Sequence, residues 1–276
     1  MDSAHAWKQY YRSERERMGR TALVDLIDAA EPLDVRDAGA VVVPHTRLEV
    51  TGDQIARAVA TVVASGVERV LALGVLHGAR RADRSLVAAA RAGDAAARAA
   101  LRGVHTDDDV AAEEFSLDAF VELLTLAADR AGRSLEVIRR YPFLVGDDPA
   151  SLPGFDELRS IVDGGAMLVV TTDPIHHGHA YGTAPESCLA GEDAATIATA
   201  RSMIDEQFRA LSERRFTDFA DLAERHRSDF RDTGPVMAML VGAGFEHELH
   251  DLALVDYAEA LAAEAPSWVA GALATV

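Results

Sequence analysis

Three short apolar runs in this chain each end on a histidine, and no other feature constrains the fold so tightly. Ala40-Val41-Val42-Val43 leads into Pro44-His45. Val70-Leu71-Ala72-Leu73-Gly74-Val75-Leu76 leads into His77-Gly78. Met167-Leu168-Val169-Val170-Thr171-Thr172 leads into Asp173-Pro174-Ile175-His176-His177-Gly178-His179. Short β-branched and aliphatic runs without polar alternation are the pattern of strands buried on both faces, in a sheet covered by helices on either side. In an open α/β sheet, ligands bind in the crevice outside the carboxyl ends of the strands. Histidines just beyond three such ends are therefore expected to converge, although they lie far apart in sequence. A site of that kind holds a metal or activates an oxygenated substrate.

The rest of the chain supplies the helices. Residues 5–30 carry Trp7, Tyr10, Tyr11, Met18, Leu23 and Leu26 roughly on one stripe, and Pro32 ends the pattern. Ile55, Val59, Val62 and Val63 mark a second helix, and residues 84–102, rich in Ala and Arg, a solvated one. Asp107-Asp108-Asp109 reads as a cap or solvated run rather than a cation site. Phe115, Leu117, Phe120, Leu123 and Leu124 form another apolar stripe, and residues 135–145 a further strand leaving through Gly146-Asp147. Helices are predicted over 153–163, 194–212 and 217–225, and from Gly234-Pro235, where proline suits a first turn, through Leu240. Residues 250–257 and 268–276 read as closing strands. Strands alternating with helical patterns, with no repeat or linker, predict a single α/β domain over residues 1–276. Its central mixed β-sheet is flanked by helices, with residues 1–39 as a helical lead-in.

Charge narrows the partners. Lys plus Arg number 27 against 45 Asp plus Glu, a formal net charge of -18. That balance disfavours nucleic acid and anionic membranes, which need a basic patch. A small anionic substrate would need local basic residues against the global field. Cys188 is the single cysteine, which excludes a disulfide framework and a cysteine-based zinc site. Residues 1–20 are polar, and no apolar run approaches the roughly 18 residues of a spanning helix. A cytoplasmic setting is expected; a homo-oligomer stays open.

The order of motifs resembles a known family. Pro44-His45, Leu73-Gly74-Val75-Leu76-His77, Glu114-Phe115-Ser116-Leu117-Asp118, Tyr141-Pro142-Phe143-Leu144-Val145-Gly146-Asp147, Thr172-Asp173-Pro174-Ile175-His176 and Gly234-Pro235 follow one another as in the MEMO family. That family is related in fold to the class III extradiol dioxygenases of the LigB type. The resemblance covers roughly residue 40 to the end. It implies that His45 and His77 bind a metal, with Fe(II) expected and another divalent ion such as Cu or Zn as the alternative. It also implies that His176 is a general acid/base with Asp173 beside it.

The departures from that pattern shape the remaining assignments. Phe115 stands where the family has histidine, and Pro44-His45 continues as Thr46-Arg47-Leu48 without the usual aromatic residue. Arg231 stands where a cysteine ligand is expected, and a guanidinium cannot ligate a metal. Asp229, Asp232 and His176 are the substitutes. Asp232 is chosen, which would complete the two-histidine, one-carboxylate set of non-haem Fe(II) oxygenases. His177 joins His176 and Asp173 in the catalytic group, with a loop role for His177 and His179 as the alternative. Arg231, Arg47 and Glu114 are assigned to the substrate, and Arg80 is a further candidate anion clamp. His247 and His250, beside Glu246, Glu248 and Asp251, have metal-ligand chemistry but read as a polar turn. Ser187 and Cys188 lack a base at recognisable spacing, which disfavours hydrolase chemistry. The expectation is a metal-dependent oxidoreductase, extradiol-dioxygenase-like, acting with O₂ on a small phenolic or catecholic substrate. The alternative is a redox-signalling or inactive binding protein in which Arg231 reaches toward His45 and His77.

Overall fold

A computed structural model describes residues 4–35, 38–77, 84–110, 114–143, 148–184, 187–189 and 191–276. The three apolar runs are strands, β1 (Ala40–Val43), β2 (Arg69–Leu73) and β5 (Met167–Thr171). Between and after them come β3 (Gly103–His105), β4 (Glu136–Phe143), β6 (Ile175–Gly178), β7 (Glu248–Asp256) and β8 (Ser267–Thr275). They form one mixed sheet in the order β3-β4-β2-β5-β1-β8-β6, with β7 also paired to β8. β4, β2, β5 and β1 are mutually parallel, so the chain leaves β1, β2 and β5 at the same rim. β8 runs antiparallel to β1, β6 and β7.

Helices cover both faces, which explains why the central strands lack polar alternation. Val41, Val43, Val70, Ala72 and Val169 point into a core shared with α1 (Ala4–Ala29), α2 (Leu48–Ser65) and α6 (Asp118–Arg130). The short α3 (Arg84–Arg91), α4 (Ala95–Leu101) and α5 (Asp107–Val110) lie between β2 and α6 in the chain. Ala40, Val42, Leu71, Leu73, Leu168 and Val170 point the other way. They meet α7 (Phe155–Asp163), α8 (Ala194–Ser212), α9 (Phe216–Arg225) and α10 (Phe230–Val241). α11 (Ala258–Leu261) is a single turn. The fold is the single α/β domain with a mixed, helix-flanked sheet that the sequence predicts. No helix among the described residues is long and apolar enough to cross a membrane.

Several local expectations are corrected. The Ala- and Arg-rich stretch is two helices, not one, followed by the short β3. Asp107–Asp109 form the first turn of α5, and Asp109 Oδ2 accepts from the Thr106 N–H. Gly234-Pro235 does not open a helix: α10 starts at Phe230 and carries Pro235 inside it. His176 and His177 do not trail β5; they sit on β6, paired with Val269 and Trp268 of β8. Arg80 and residues 144–147 lie outside the described residues.

Candidate metal centre

The parallel strands bring the predicted histidines to one rim. His45 follows β1 and His77 follows β2. The turn after β5 brings Asp173, and β6 returns His176 beside them. The remaining wall is the start of α10, where Asp229 is the capping residue. Its backbone N–H bonds the Asp173 carbonyl at 3.2 Å, which ties that helix end to the exit of β5.

One carboxylate oxygen, Asp229 Oδ2, faces three imidazoles. It lies 3.2 Å from His77 Nε2, 3.4 Å from His45 Nε2 and 3.6 Å from His176 Nε2. Donor atoms of His45, His77 and Asp229 all lie within 4.8 Å of one another, the one such group among the described residues. Two adjacent donors each about 2.1 Å from an ion, at about 90–110°, stand about 3.0–3.4 Å apart. The Asp229–His45 and Asp229–His77 separations fall in that range. The set is two histidines and one carboxylate, which suits Fe(II).

Neighbours fix which nitrogen His77 and His176 present. His77 Nδ1 bonds Glu114 Oε1 at 3.2 Å, and its backbone N–H bonds Glu114 Oε2 at 2.5 Å. Glu114 is buried and also accepts the backbone N–H groups of Phe115 and Ser116. A carboxylate behind a ligating imidazole orients the ring and raises its basicity. His176 Nδ1 lies 2.8 Å from the Arg227 carbonyl. A carbonyl only accepts, so this nitrogen carries a proton, and Nε2 is the ring nitrogen that faces Asp229. His45 receives its orientation from Asp173, whose Oδ1 takes the His45 backbone N–H at 3.2 Å. Asp173 Oδ2 stands 3.6 Å from the His45 ring. His45 Nδ1 is buried with no hydrogen-bond partner among the described residues.

The charges are strongly coupled. Burial opposes protonation of His77, but Glu114 and Asp229 overcome it and raise the imidazole to about 9. Burial also pushes Asp229 up, yet His176 and His77 hold it well below the usual carboxylate range. Asp173 is raised, chiefly by burial. The pocket therefore wants positive charge between its imidazoles and Asp229, from protons or from a cation. A metal must displace those protons to bind.

A cavity of about 570 Å³ opens over this group. Trp7 and Tyr11 of α1, Phe115, Tyr181 and Tyr257 form much of its wall, and Arg227 also lines it. Phe115 stacks on His77 at 4.5 Å between centroids and braces the imidazole from the side.

Not every predicted site residue is here. Asp232, chosen as third ligand, is not on the cavity wall; it lies near Arg98, whose guanidinium feels its charge. Asp229, another of the substitutes, is the carboxylate that stands beside His45 and His77. His177 points to the other side of β6 and bonds His226, Nε2 to Nδ1 at 3.1 Å. Burial, then the charges of His226 and His176, lower it to about 4, so it is a neutral structural residue. Arg231 pairs with Glu224 at 3.2 Å and does not reach His45 or His77. Arg47 pairs with Glu14 and Glu49 at the start of α2. Glu114 touches His77 rather than the cavity. His247 pairs with Asp205, and His250 bonds Thr275. Sequence reasoning did not single out Arg227, Tyr181, Trp7 or Tyr11 as site residues; the two on α1 were read only as a helical stripe. No family model matches the chain, and no curated protein matches it.

Proposed function

We propose that this protein is a mononuclear, non-haem metal-dependent oxidoreductase of the extradiol-dioxygenase kind, acting on a small phenolic or catecholic substrate with O₂. The observation that carries this reading is the approach of His45, His77 and Asp229 to one another at the floor of an aromatic-walled cavity. The ordered motifs that resemble the MEMO and class III extradiol families support the same reading. His45, His77 and Asp229 would hold Fe(II), which when bound would acidify a phenolic oxygen and pass electrons from the substrate to O₂.

The chain's own residues do the rest. Glu114 keeps His77 Nε2 turned to the ion. Asp173 holds the His45 backbone in place. Trp7, Tyr11 and Phe115 offer flat apolar faces to an aromatic ring. His176, its Nδ1 proton fixed by the Arg227 carbonyl, keeps Nε2 available to accept a proton from a substrate hydroxyl and return it later. The competing reading, an inactive or redox-signalling binding protein, is motivated by Arg231 at an expected ligand position and predicts Arg231 reaching toward His45 and His77; the pairing of Arg231 with Glu224 counts against that prediction.

The test is anaerobic loading with Fe(II) followed by O₂-uptake measurements over catechols and aminophenols. Uptake is expected with at least one ring class. His176→Ala should retain bound iron and lose turnover, whereas His45→Ala should lose both. Absence of uptake across a broad panel by iron-loaded protein would retire the proposal.

A further inference from the structure

The cavity contains one permanently charged cation among its described lining residues, and it is none of the arginines the sequence singled out. Arg227 sits at the turn between α9 and α10 with φ 51, a left-handed conformation uncommon for a residue with a side chain. The turn is over-determined. Arg227 N–H bonds the Glu224 carbonyl at 3.2 Å, and the Arg227 carbonyl takes His176 Nδ1 at 2.8 Å. The backbone that orients His176 thus also fixes where the Arg227 side chain starts, beside the cavity.

Its guanidinium is only loosely held. Arg227 Nη1 stands 3.5 Å from Glu224 Oε1, and both side chains are more than half exposed, at 55% and 64%. Exposed pairs of this kind contribute little. Glu224 is moreover shared: its other oxygen takes Arg231 at 3.2 Å. If Arg227 leaves, Glu224 keeps Arg231, so turning Arg227 toward the cavity abandons no carboxylate.

The surroundings make such a cation necessary for an anionic ligand. The chain carries a formal charge of -18, and Asp173 and Asp229 both line the cavity. A ligand bearing a carboxylate away from its reacting oxygens would meet a repulsive field without a local counter-charge. From these contacts we infer that Arg227 is a specificity-determining residue that clamps the carboxylate of an aromatic acid, with the ring against the aromatic wall. The inference rests on reading this cavity as the substrate site. It requires neither iron nor O₂.

The test is equilibrium binding, with 3-hydroxybenzoate and its uncharged counterpart 3-hydroxybenzamide as probes. Calorimetry on chelator-treated and Zn(II)-loaded protein measures Kd. Wild type should prefer the carboxylate by about tenfold or more, as a charge-assisted forked pair allows. Arg227→Gln should lose that preference while leaving the amide's Kd unchanged, because the His176 contact is to a main-chain carbonyl. Arg227→Lys should restore part of it. Equal affinity for the two probes in wild type, no binding of either, or equal weakening of both in Arg227→Gln would overturn the inference. An iron-loaded protein that consumes no O₂ but binds the probes as described would sink the oxygenase reading and leave this one standing.

Discussion

Replacing Asp229 by asparagine tests the metal centre most sharply, because Asp232 provides an internal control one helical turn away. The amide would keep the shape and one carbonyl oxygen but remove the charge now facing three imidazoles at 3.2–3.6 Å. Removing a group that merely supports a ligand costs about 10–100-fold in metal affinity. Losing the only anionic ligand should cost at least the upper figure, about 2.7 kcal/mol. The consequence is readable as thermal stabilisation by metal. At a free ion concentration of about 1,000 times the wild-type Kd, binding adds about 4.1 kcal/mol. A variant weakened 100-fold sees only about 10 times its own Kd and gains about 1.4 kcal/mol. With an unfolding entropy of about 2.1 cal/mol/K per residue over 276 residues, these gains are about 7 °C and about 2.5 °C in Tm. Scanning calorimetry with and without Zn(II), backed by chelator competition, makes the measurement. Asp232→Asn should follow wild type in both. Should Asp229→Asn behave as wild type while Asp232→Asn loses the metal, the ligand assignment is wrong and the start of α10 must be redrawn.

Other perturbations probe the supporting structure. Glu114→Gln should weaken metal binding by about tenfold, less than Asp229→Asn, because the ligands remain and only the orientation of His77 suffers; chelator competition ranks the two. His177 should make stability acid-sensitive. Its folded value of about 4 lies below the unfolded 6.5, so its contribution is complete above pH 6.5 and is lost as pH falls through 4. The loss amounts to about 3 kcal/mol by pH 4, and urea titrations of His177→Gln against wild type should show a flatter pH profile. Metal-free His77, raised to about 9, acts oppositely: its contribution is complete below pH 6.5 and fades as pH rises through 9. Gly178→Ala should destabilise by about 2–3 kcal/mol, since φ is 123 there and a Cβ would stand 2.7 Å from Ser267 Cα; a Tm unchanged within a degree would show that the β6–β8 pairing can shift.

The sheet was legible because its information is local. Unbroken apolar runs at 40–43, 70–73 and 167–170 are incompatible with a solvent-facing strand, and a parallel sheet sends their ends to one rim. β6 was not legible, because Ile175-His176-His177-Gly178 has no apolar period and forms only by pairing with residues 267–270. Asp232 was preferred to Asp229 as the third candidate ligand for a different reason. Gly234-Pro235 has the residue preferences of a helix start, but Ser228-Asp229 has them too. Tertiary packing decides for the latter: Ser228 Oγ accepts the Phe230 N–H, and Gly234 is pressed against Leu211 and Phe219, where a Cβ would stand 3.0 and 3.1 Å from side-chain atoms. Moving the start of α10 to Phe230 swings Asp229 to the imidazoles and leaves Asp232 in the first turn, near Arg98. The same turn positions Arg227, whose value to the site depends on an αL conformation that no residue pattern announces.

Asp229 and Asp232 offer the same kind of ligand, so the candidate set remains two imidazoles and one carboxylate. A cysteine thiolate among the ligands is soft and suits Cu(I), whereas two imidazoles and a carboxylate are harder and suit Fe(II) with oxygen ligands. With two neutral imidazoles and one carboxylate as ligands, a divalent ion would keep a single positive charge, which a singly deprotonated phenol would neutralise. A second anionic group on the ligand would then have no partner at the centre, with Asp173 also present. It would have to be met elsewhere on the wall, and the guanidinium placed to meet it is that of Arg227.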